Sequence, residues 1–267
     1  MGSVDLASPD VVLLLGAPGA GKGTQARFLA QMLGVPQIAS GDLLREHRQR
    51  GTELGRAAQV HMDRGDLVPD ELVASMIMAR LEQPDAAHGA VLDGFPRTRA
   101  QALLLDEGVR GKAGTIRAAL YLDVPLDVLV VRLAGRWMCR VCQATYHERF
   151  RPGAVSGACK TCAGELYQRT DDRPDVVANR VAVYLRETRP VLEHYAELGV
   201  YRAIAGDRAV EAVRADLCRA LRGMSLGRSR TTWHLYVPPR RLGRAGDGQG
   251  VRRRSSRPRE GVPPTFG

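Results

Sequence analysis

The sequence predicts an α/β protein: a parallel five-stranded sheet flanked by helices, with a small module inserted late in the chain. Three observations carry that reading. An apolar run at residues 11–15 leads into Gly16-Ala-Pro-Gly-Ala-Gly-Lys-Gly-Thr24 and then a helix-like segment, 25–33. Strand and helix signals alternate from residue 11 to about 222, as βαβ units require. Four of the five cysteines fall in one stretch, Cys139-x2-Cys142-x16-Cys159-x2-Cys162.

In chain order, residues 35–39 form a short extended segment, and Asp42 is expected to cap a helix over 43–50. Glycines at 51, 55 and 65 punctuate a short helical region, 53–64. Pro69-Asp-Glu71 opens a clearer helix, with Leu72, Val73, Met76, Ile77 and Leu81 at helical spacing. That stripe is core. Residues 90–95 and 119–124 read as strands, and Pro125 opens a helix to about Leu133. Residues 137–168 change character, with paired cysteines, glycines and a β-like piece at 144–147. The main pattern returns as one long helix over 176–198, a strand at 200–204 and a helix at 209–222. Cys218 falls in that last helix as an expected buried structural thiol. His61, His88, His147 and His194 have no partner at metal spacing and read as surface or satisfied histidines.

Composition bounds the function. At 267 residues with 44% hydrophobic and 25% charged residues, the chain can bury a full α/β core. No apolar run approaches the roughly 20 residues that cross a membrane. The first ten residues have neither the basic start nor the apolar run of a secretory signal, so a cytoplasmic protein is expected. The net charge is +10, but from Met224 onward ten Arg face only Asp247 and Glu260. This +8 leaves +2 for the first 223 residues, so the core is nearly neutral. Residues 224–267 are rich in Arg, Gly, Pro and Ser and are expected to be a disordered basic tail. Its one apolar island is Trp233, Leu235, Tyr236 and Val237.

The glycine-rich loop has the layout of a P-loop. Glycines let backbone N–H groups close around phosphate oxygens, and the following helix turns its positive end to the same anion. Lys22 adds a mobile charge and Thr24 a hydroxyl, with Gly23 between them where the usual pattern has Ser or Thr directly after Lys. The paired Cys-x-x-Cys turns read as a tetrahedral zinc site, because each supplies two thiolates to one side of a metal.

Four blocks stand in order: Gly16 to Thr24, Ala39-Ser-Gly-Asp-Leu-Leu-Arg45, Asp93-Gly-Phe-Pro-Arg97 and Gln168-Arg-Thr-Asp-Asp172. With the cysteine insert before the last, residues 10–222 resemble adenylate kinases of the long-lid, zinc-bearing bacterial type. The resemblance implies a P-loop NTPase CORE, an AMP-binding flap at 39–68 and a zinc LID at 135–172. It puts Gly19, Ala20, Gly21, Lys22, Gly23, Thr24, Arg132, Arg136, Thr145, Tyr146 and Arg208 at the ATP site. It puts Ser40, Arg45, Asp66, Leu67, Val68, Gly94, Phe95, Pro96, Arg97, Gln101, Arg169 and Arg180 at the AMP site, with Gln101 reading the adenine edge. Arg169 and Arg180 would bridge the moving phosphoryl. Trp137 departs from the pattern, standing where the family often has a second Arg. The implied partners are ATP, AMP and ADP, and a monomer is expected.

The chemistry agrees with that resemblance. Phosphoryl transfer asks for alignment and positive charge around the moving group. Lys22, Arg97, Arg136, Arg169 and Arg180 supply the charge, and arginine's planar fork takes two phosphate oxygens at once. Asp93 would hold Mg²⁺ through water. Zinc on Cys139, Cys142, Cys159 and Cys162 would be structural. Two other readings stand: a kinase for UMP/CMP or one using GTP, and a zinc-ribbon protein binding nucleic acid or an acidic partner through its basic tail.

Overall fold

The computed structural model describes residues 10–112, 114–149 and 158–224. The expected disordered tail beyond Met224, its apolar island, and residues 1–9 lie outside them.

Strand β1 (Asp10–Gly16) is buried along its whole length. A strand sandwiched in this way reads as a continuous apolar run rather than an alternation. It pairs in parallel with β3 (Gly89–Asp93) and β4 (Thr115–Asp123). With β2 (Gln37–Ala39) beyond β3 and a last strand, Tyr201–Ala205, beyond β4, the sheet order is 2-3-1-4 and then that last strand. Val11, Leu13 and Leu15 enter one hydrophobic layer and Val12 and Leu14 the other. The first layer is closed by α4 (Asp70–Leu81) and α5 (Arg99–Gly111), the second by α1 (Lys22–Leu33). The five-stranded parallel sheet is the one the sequence predicts.

Between β2 and α4 the chain makes α2 (Ser40–Gln49) and α3 (Glu53–Arg64), the latter capped by Thr52, whose Oγ1 accepts from Gly55 N–H at 3.1 Å. After β4, α6 (Leu126–Ala134) leads into a separate antiparallel sheet of β5 (Arg136–Cys139), β6 (Thr145–His147) and β7 (Leu166–Tyr167). This small sheet has its own core, Cys139, Tyr146, Cys159 and Leu166. The chain returns through α7 (Pro174–Val183) and α8 (Val191–Glu197) to β8 (Tyr201–Ala205) and α9 (Val210–Met224). Among the described residues no helix is long and apolar enough to cross a membrane.

Several elements differ from the sequence expectation. Helix α5 was not anticipated, although Thr98-x-x-Gln101 before an apolar run is a capping-box pattern; Thr98 Oγ1 accepts from Gln101 N–H at 3.1 Å. Strand β4 begins at Thr115 rather than 119, because the charged Arg117 is absorbed by buried Asp10 at 3.2 Å. The single helix over 176–198 is interrupted: residues 184–188 form a π-turn, and Pro190, with no N–H to donate, precedes α8. Asp42 lies inside the first turn of α2 rather than capping it. Cys218 is only half-buried, its Sγ 3.3 Å from Met32 Sδ.

His194 is a satisfied histidine, as expected. Its Nε2 lies 2.7 Å from Asp106 Oδ2, and Tyr195 O–H donates to Asp106 Oδ1 at 3.3 Å, all three side chains being buried where α8 meets α5. Removing Asp106 leaves two buried polar groups without a partner. Asp106→Ala is expected to lower the unfolding free energy by roughly 3 kcal/mol in urea titrations while leaving substrate KM values unchanged.

Candidate active site

The parallel sheet brings the ends of β1, β2 and β3 to one edge, where the strand order reverses and ligands of open α/β sheets bind. Leu14 of β1 and Ala39 of β2 both register with Asp93 of β3. The loop after β1, the start of α2 and the turn after β3 therefore converge. Gly21, at positive φ, starts α1 directly behind Lys22. The Lys22 ammonium donates to the carbonyls of Gly16 and Ala17 at 2.8 and 2.9 Å. Burial, with Arg97, Arg180 and Arg136 nearby, lowers its pKa to about 7 against the opposing pull of Asp93. Burial likewise pushes the Asp93 carboxyl up, against Lys22. Gly23, the residue that interrupts the usual P-loop spacing, is explained here. A Cβ at this position would stand 3.3 Å from Asp93 Oδ2, closing the space beside the carboxylate.

Gly94 sits at positive φ in the middle of this convergence. A Cβ there would lie 3.4 Å from Arg97 Nη2, 3.6 Å from Ser40 Oγ and 3.8 Å from Lys22 Cε. Its carbonyl accepts from Ser40 O–H and from Arg97 Nε–H, both at 2.8 Å. One cavity runs from this point between the loop and α2–α4. Its walls include Lys22, Ser40, Arg45, Asp66, Leu67, Val68, Gly94, Pro96, Arg97, Gln101, Arg169 and Arg180. Every residue expected at the AMP site is thus gathered in one place except Phe95, which is buried in the core beneath.

Arg169 and Arg180 on the far wall, and Arg136, which shares Asp172 with Arg180, are tied to carboxylates. Arg136 makes a two-pronged pair with Asp172, with Nε donating to Oδ2 at 2.7 Å. Arg169 holds Asp171 in the same manner, with Nε donating to Oδ1 at 2.8 Å. Arg180 Nη1 reaches both, at 3.1 Å to Asp171 Oδ2 and 3.0 Å to Asp172 Oδ1. Burial would raise the Asp171 carboxyl, but Arg169 and Arg180 outweigh it and hold it well below the usual carboxylate range. Burial lowers Arg180 to about 10.

The four cysteines meet as the sequence predicts. Their sulfurs lie within 4.8 Å of one another, with Cys139–Cys162 and Cys142–Cys159 both at 3.5 Å. A tetrahedral zinc with Zn–S bonds of about 2.3 Å spaces its sulfurs by about 3.8 Å. The donor set fits such a metal.

The family is decided by comparison with known proteins. The family model described as adenylate kinase matches residues 14–200. The adenylate kinase of Symbiobacterium thermophilum is 46% identical over 211 residues, 79% of this chain and 98% of that protein. Those of Methanocella arvoryzae and a Geobacillus species are 46% and 45% identical, each over 80% of this chain and 99% of theirs. The chain belongs to the adenylate kinase family. It is an enzyme that converts ATP and AMP to two ADP.

The residues expected at the ATP site are more scattered. Gly19, Ala20, Gly21, Gly23 and Thr24 build the loop and the first turn of α1. Arg132 lies on α6, its Nη1 donating to Gly206 O at 2.9 Å, and Arg208 is exposed and paired with Asp216. Thr145 is exposed on β6. The hydroxyl of Tyr146 is turned into the cysteine cluster, 3.1 Å from Cys159 Sγ, and accepts from Lys160 N–H at 3.0 Å. Trp137, where adenylate kinases often carry a second Arg, packs on the cluster and donates from Nε1 to Glu148 at 2.7 Å. Sequence reasoning quoted Asp171 and Asp172 without a role; their spacing from Arg169 was the available signal. Asp70 reads from the sequence only as a helix start.

Because Asp171 is held below its ordinary value, it stays ionised in the fold at a pH where the unfolded chain binds a proton. Its stabilisation is present above about pH 4 and is lost as pH falls below that. Asp171→Asn should lower stability at neutral pH and flatten the acid limb of the stability curve, read by chemical denaturation between about pH 5 and 2.

Proposed function

We propose that the convergence at Gly94 is where the two nucleotides meet, with the donor on the Gly16–Thr24 side and AMP in the cavity beyond. The observation that carries this reading is that Lys22 and Arg97 both reach the same glycine, 3.8 and 3.4 Å from where its Cβ would stand. Lys22 and the loop N–H groups would hold the β- and γ-phosphates of ATP, and Arg97 with Arg45 the AMP phosphate. Arg136, Arg169 and Arg180 would surround the moving phosphoryl, exchanging Asp171 and Asp172 for phosphate oxygens. The AMP phosphate is already largely ionised at neutral pH, so no general base is called for. Asp93 would hold Mg²⁺ through water, and the ion would neutralise charge on the ATP phosphates. Ser40, Asp66, Leu67, Val68 and Gln101 would seat the rest of AMP.

Transfer to water competes with transfer to AMP, so the site must exclude it. Residues 39–68 would serve as the AMP flap and 135–172 as the LID over a CORE spanning 10–222. Asn179 supports the flap assignment: its Nδ2 donates to Arg64 O at 2.8 Å and Asp66 Oδ1 at 2.9 Å, tying the segment to α7. Zinc on the four thiolates would supply no chemistry, having no open position, and would let a sheet of three short strands act as a firm cover. The enzyme would work as a cytoplasmic monomer.

Four measurements test this reading. Lys22→Met is expected to lower kcat for ADP formation by about a thousandfold or more with an unchanged far-UV spectrum; full activity would reject the loop's role. Metal analysis should find one zinc per chain, and chelation should lower the melting temperature of the LID before that of the CORE. Tyr146→Phe, which takes a hydrogen bond from Cys159, should release zinc to a chromogenic chelator about tenfold more readily.

A further inference from the structure

The cavity contains an amide whose orientation is fixed from behind. Gln101 is 1% exposed and stands in the first turn of α5. Its Oε1 accepts from Arg97 N–H at 2.8 Å, and its Nε2 donates to Asp70 Oδ1 at 2.8 Å. The other Asp70 oxygen accepts from Thr98 Oγ1 at 2.9 Å, and Thr98 Oγ1 itself accepts from Gln101 N–H at 3.1 Å. A backbone N–H can face only the amide oxygen, and a carboxylate only the amide NH2. The two ends of Gln101 therefore cannot be exchanged. An amide carries two acceptor lone pairs and two N–H donors; with one of each used, one acceptor and one donor remain, in a fixed left-to-right order.

We propose that Asp70 is a specificity-determining positioning residue, which selects a 6-aminopurine over a 6-oxopurine as the phosphoryl acceptor. This rests on the reading that Gln101 faces the acceptor base. Adenine presents an N6–H donor beside the N1 acceptor, matching the remaining oxygen and N–H of Gln101. Hypoxanthine and guanine present the reverse, an O6 acceptor beside an N1–H donor. A freely turning amide would flip and serve either pattern equally. With Asp70 in place, the flip costs both the carboxylate bond and the Arg97 bond, so the 6-oxopurine meets donor against donor and acceptor against acceptor. Nothing in the recognition requires Asp70 to touch the nucleotide.

The test is steady-state kinetics on the full chain with AMP, IMP and GMP as acceptors and ATP as donor. Asp70→Ala should raise KM for AMP by about tenfold and narrow the AMP/IMP ratio of kcat/KM by about tenfold. KM for ATP, and kcat at saturating AMP, should stay within about twofold. Asp70→Asn keeps an acceptor toward Gln101 and should restore both values to within about threefold. Asp70→Ser, too short to reach the amide, should behave as Asp70→Ala and serves if the alanine variant folds poorly. Gln101→Leu is the control. If it moves KM for AMP and the AMP/IMP ratio while folded Asp70→Ala and Asp70→Ser leave them alone, the inference is overturned and the Gln101 reading stands. If Gln101→Leu leaves both unchanged, the acceptor base is read elsewhere and both fall together.

Discussion

Lys22, Arg45, Arg97, Arg169 and Arg180 are cations that the fold withdraws from water and faces toward one another across a single cavity. Such a gathering is costly, since like charges repel more strongly in a medium that screens them less well than water. Burial first, and the neighbouring cations after it, lower the values of Lys22, Arg97 and Arg180. The fold offsets the cost with carboxylates placed among the cations: Asp93 beside Lys22, Asp42 on Arg45, and Asp171 and Asp172 on Arg136, Arg169 and Arg180. Under the proposed function Asp171 and Asp172 would be stand-ins that phosphate displaces, whereas Asp93 would stay to hold Mg²⁺. On that reading a nucleotide would substitute for internal partners rather than create new order.

The scaffold follows from this requirement. Cations can be held in opposition only by elements stiff enough to resist their repulsion, and the buried parallel sheet provides that stiffness at one edge. The opposing arginines Arg169 and Arg180 arrive from a different direction, on the return from the small antiparallel sheet and on α7. A cover with a core of only four buried residues cannot be firm through apolar burial alone. Zinc on the cysteine cluster would supply the missing cross-links, with the Tyr146 hydroxyl 3.1 Å from Cys159 Sγ.

Much of this was legible in the sequence because the informative residues are local. A phosphate loop needs closely spaced glycines, and a metal site of this kind needs cysteine pairs with two residues between them. Buried strands such as 11–15 need unbroken apolar residues. What was not legible depends on partners distant in the chain. Arg117 blurs the start of β4 because its counter-ion, Asp10, is more than a hundred residues away. Helix α5 hides because Leu103 and Leu104 are exposed and smear its apolar stripe, although the Thr98–Gln101 cap was there to be read. The long helix over 176–198 looks continuous until Pro190 is given its full weight. At the site, the motifs contain Asp171 and Asp172 but give them no role, and the spacing does not show that the Tyr146 hydroxyl meets Cys159. Pairings of this kind are facts of three dimensions.

The carbonyl of Gly94 has a consequence for tolerance to change. It is one oxygen, and it receives Ser40 from the flap and Arg97 from the phosphate wall at the same 2.8 Å. Both halves of the acceptor's seat are thus measured from a single datum, with Lys22 only a methyl group's reach from the same residue. A small shift of the turn after β3 would carry flap and arginine together and preserve their mutual spacing, while altering the gap to the donor loop. On the proposed reading, errors of alignment in this turn would therefore fall on the gap between donor and acceptor.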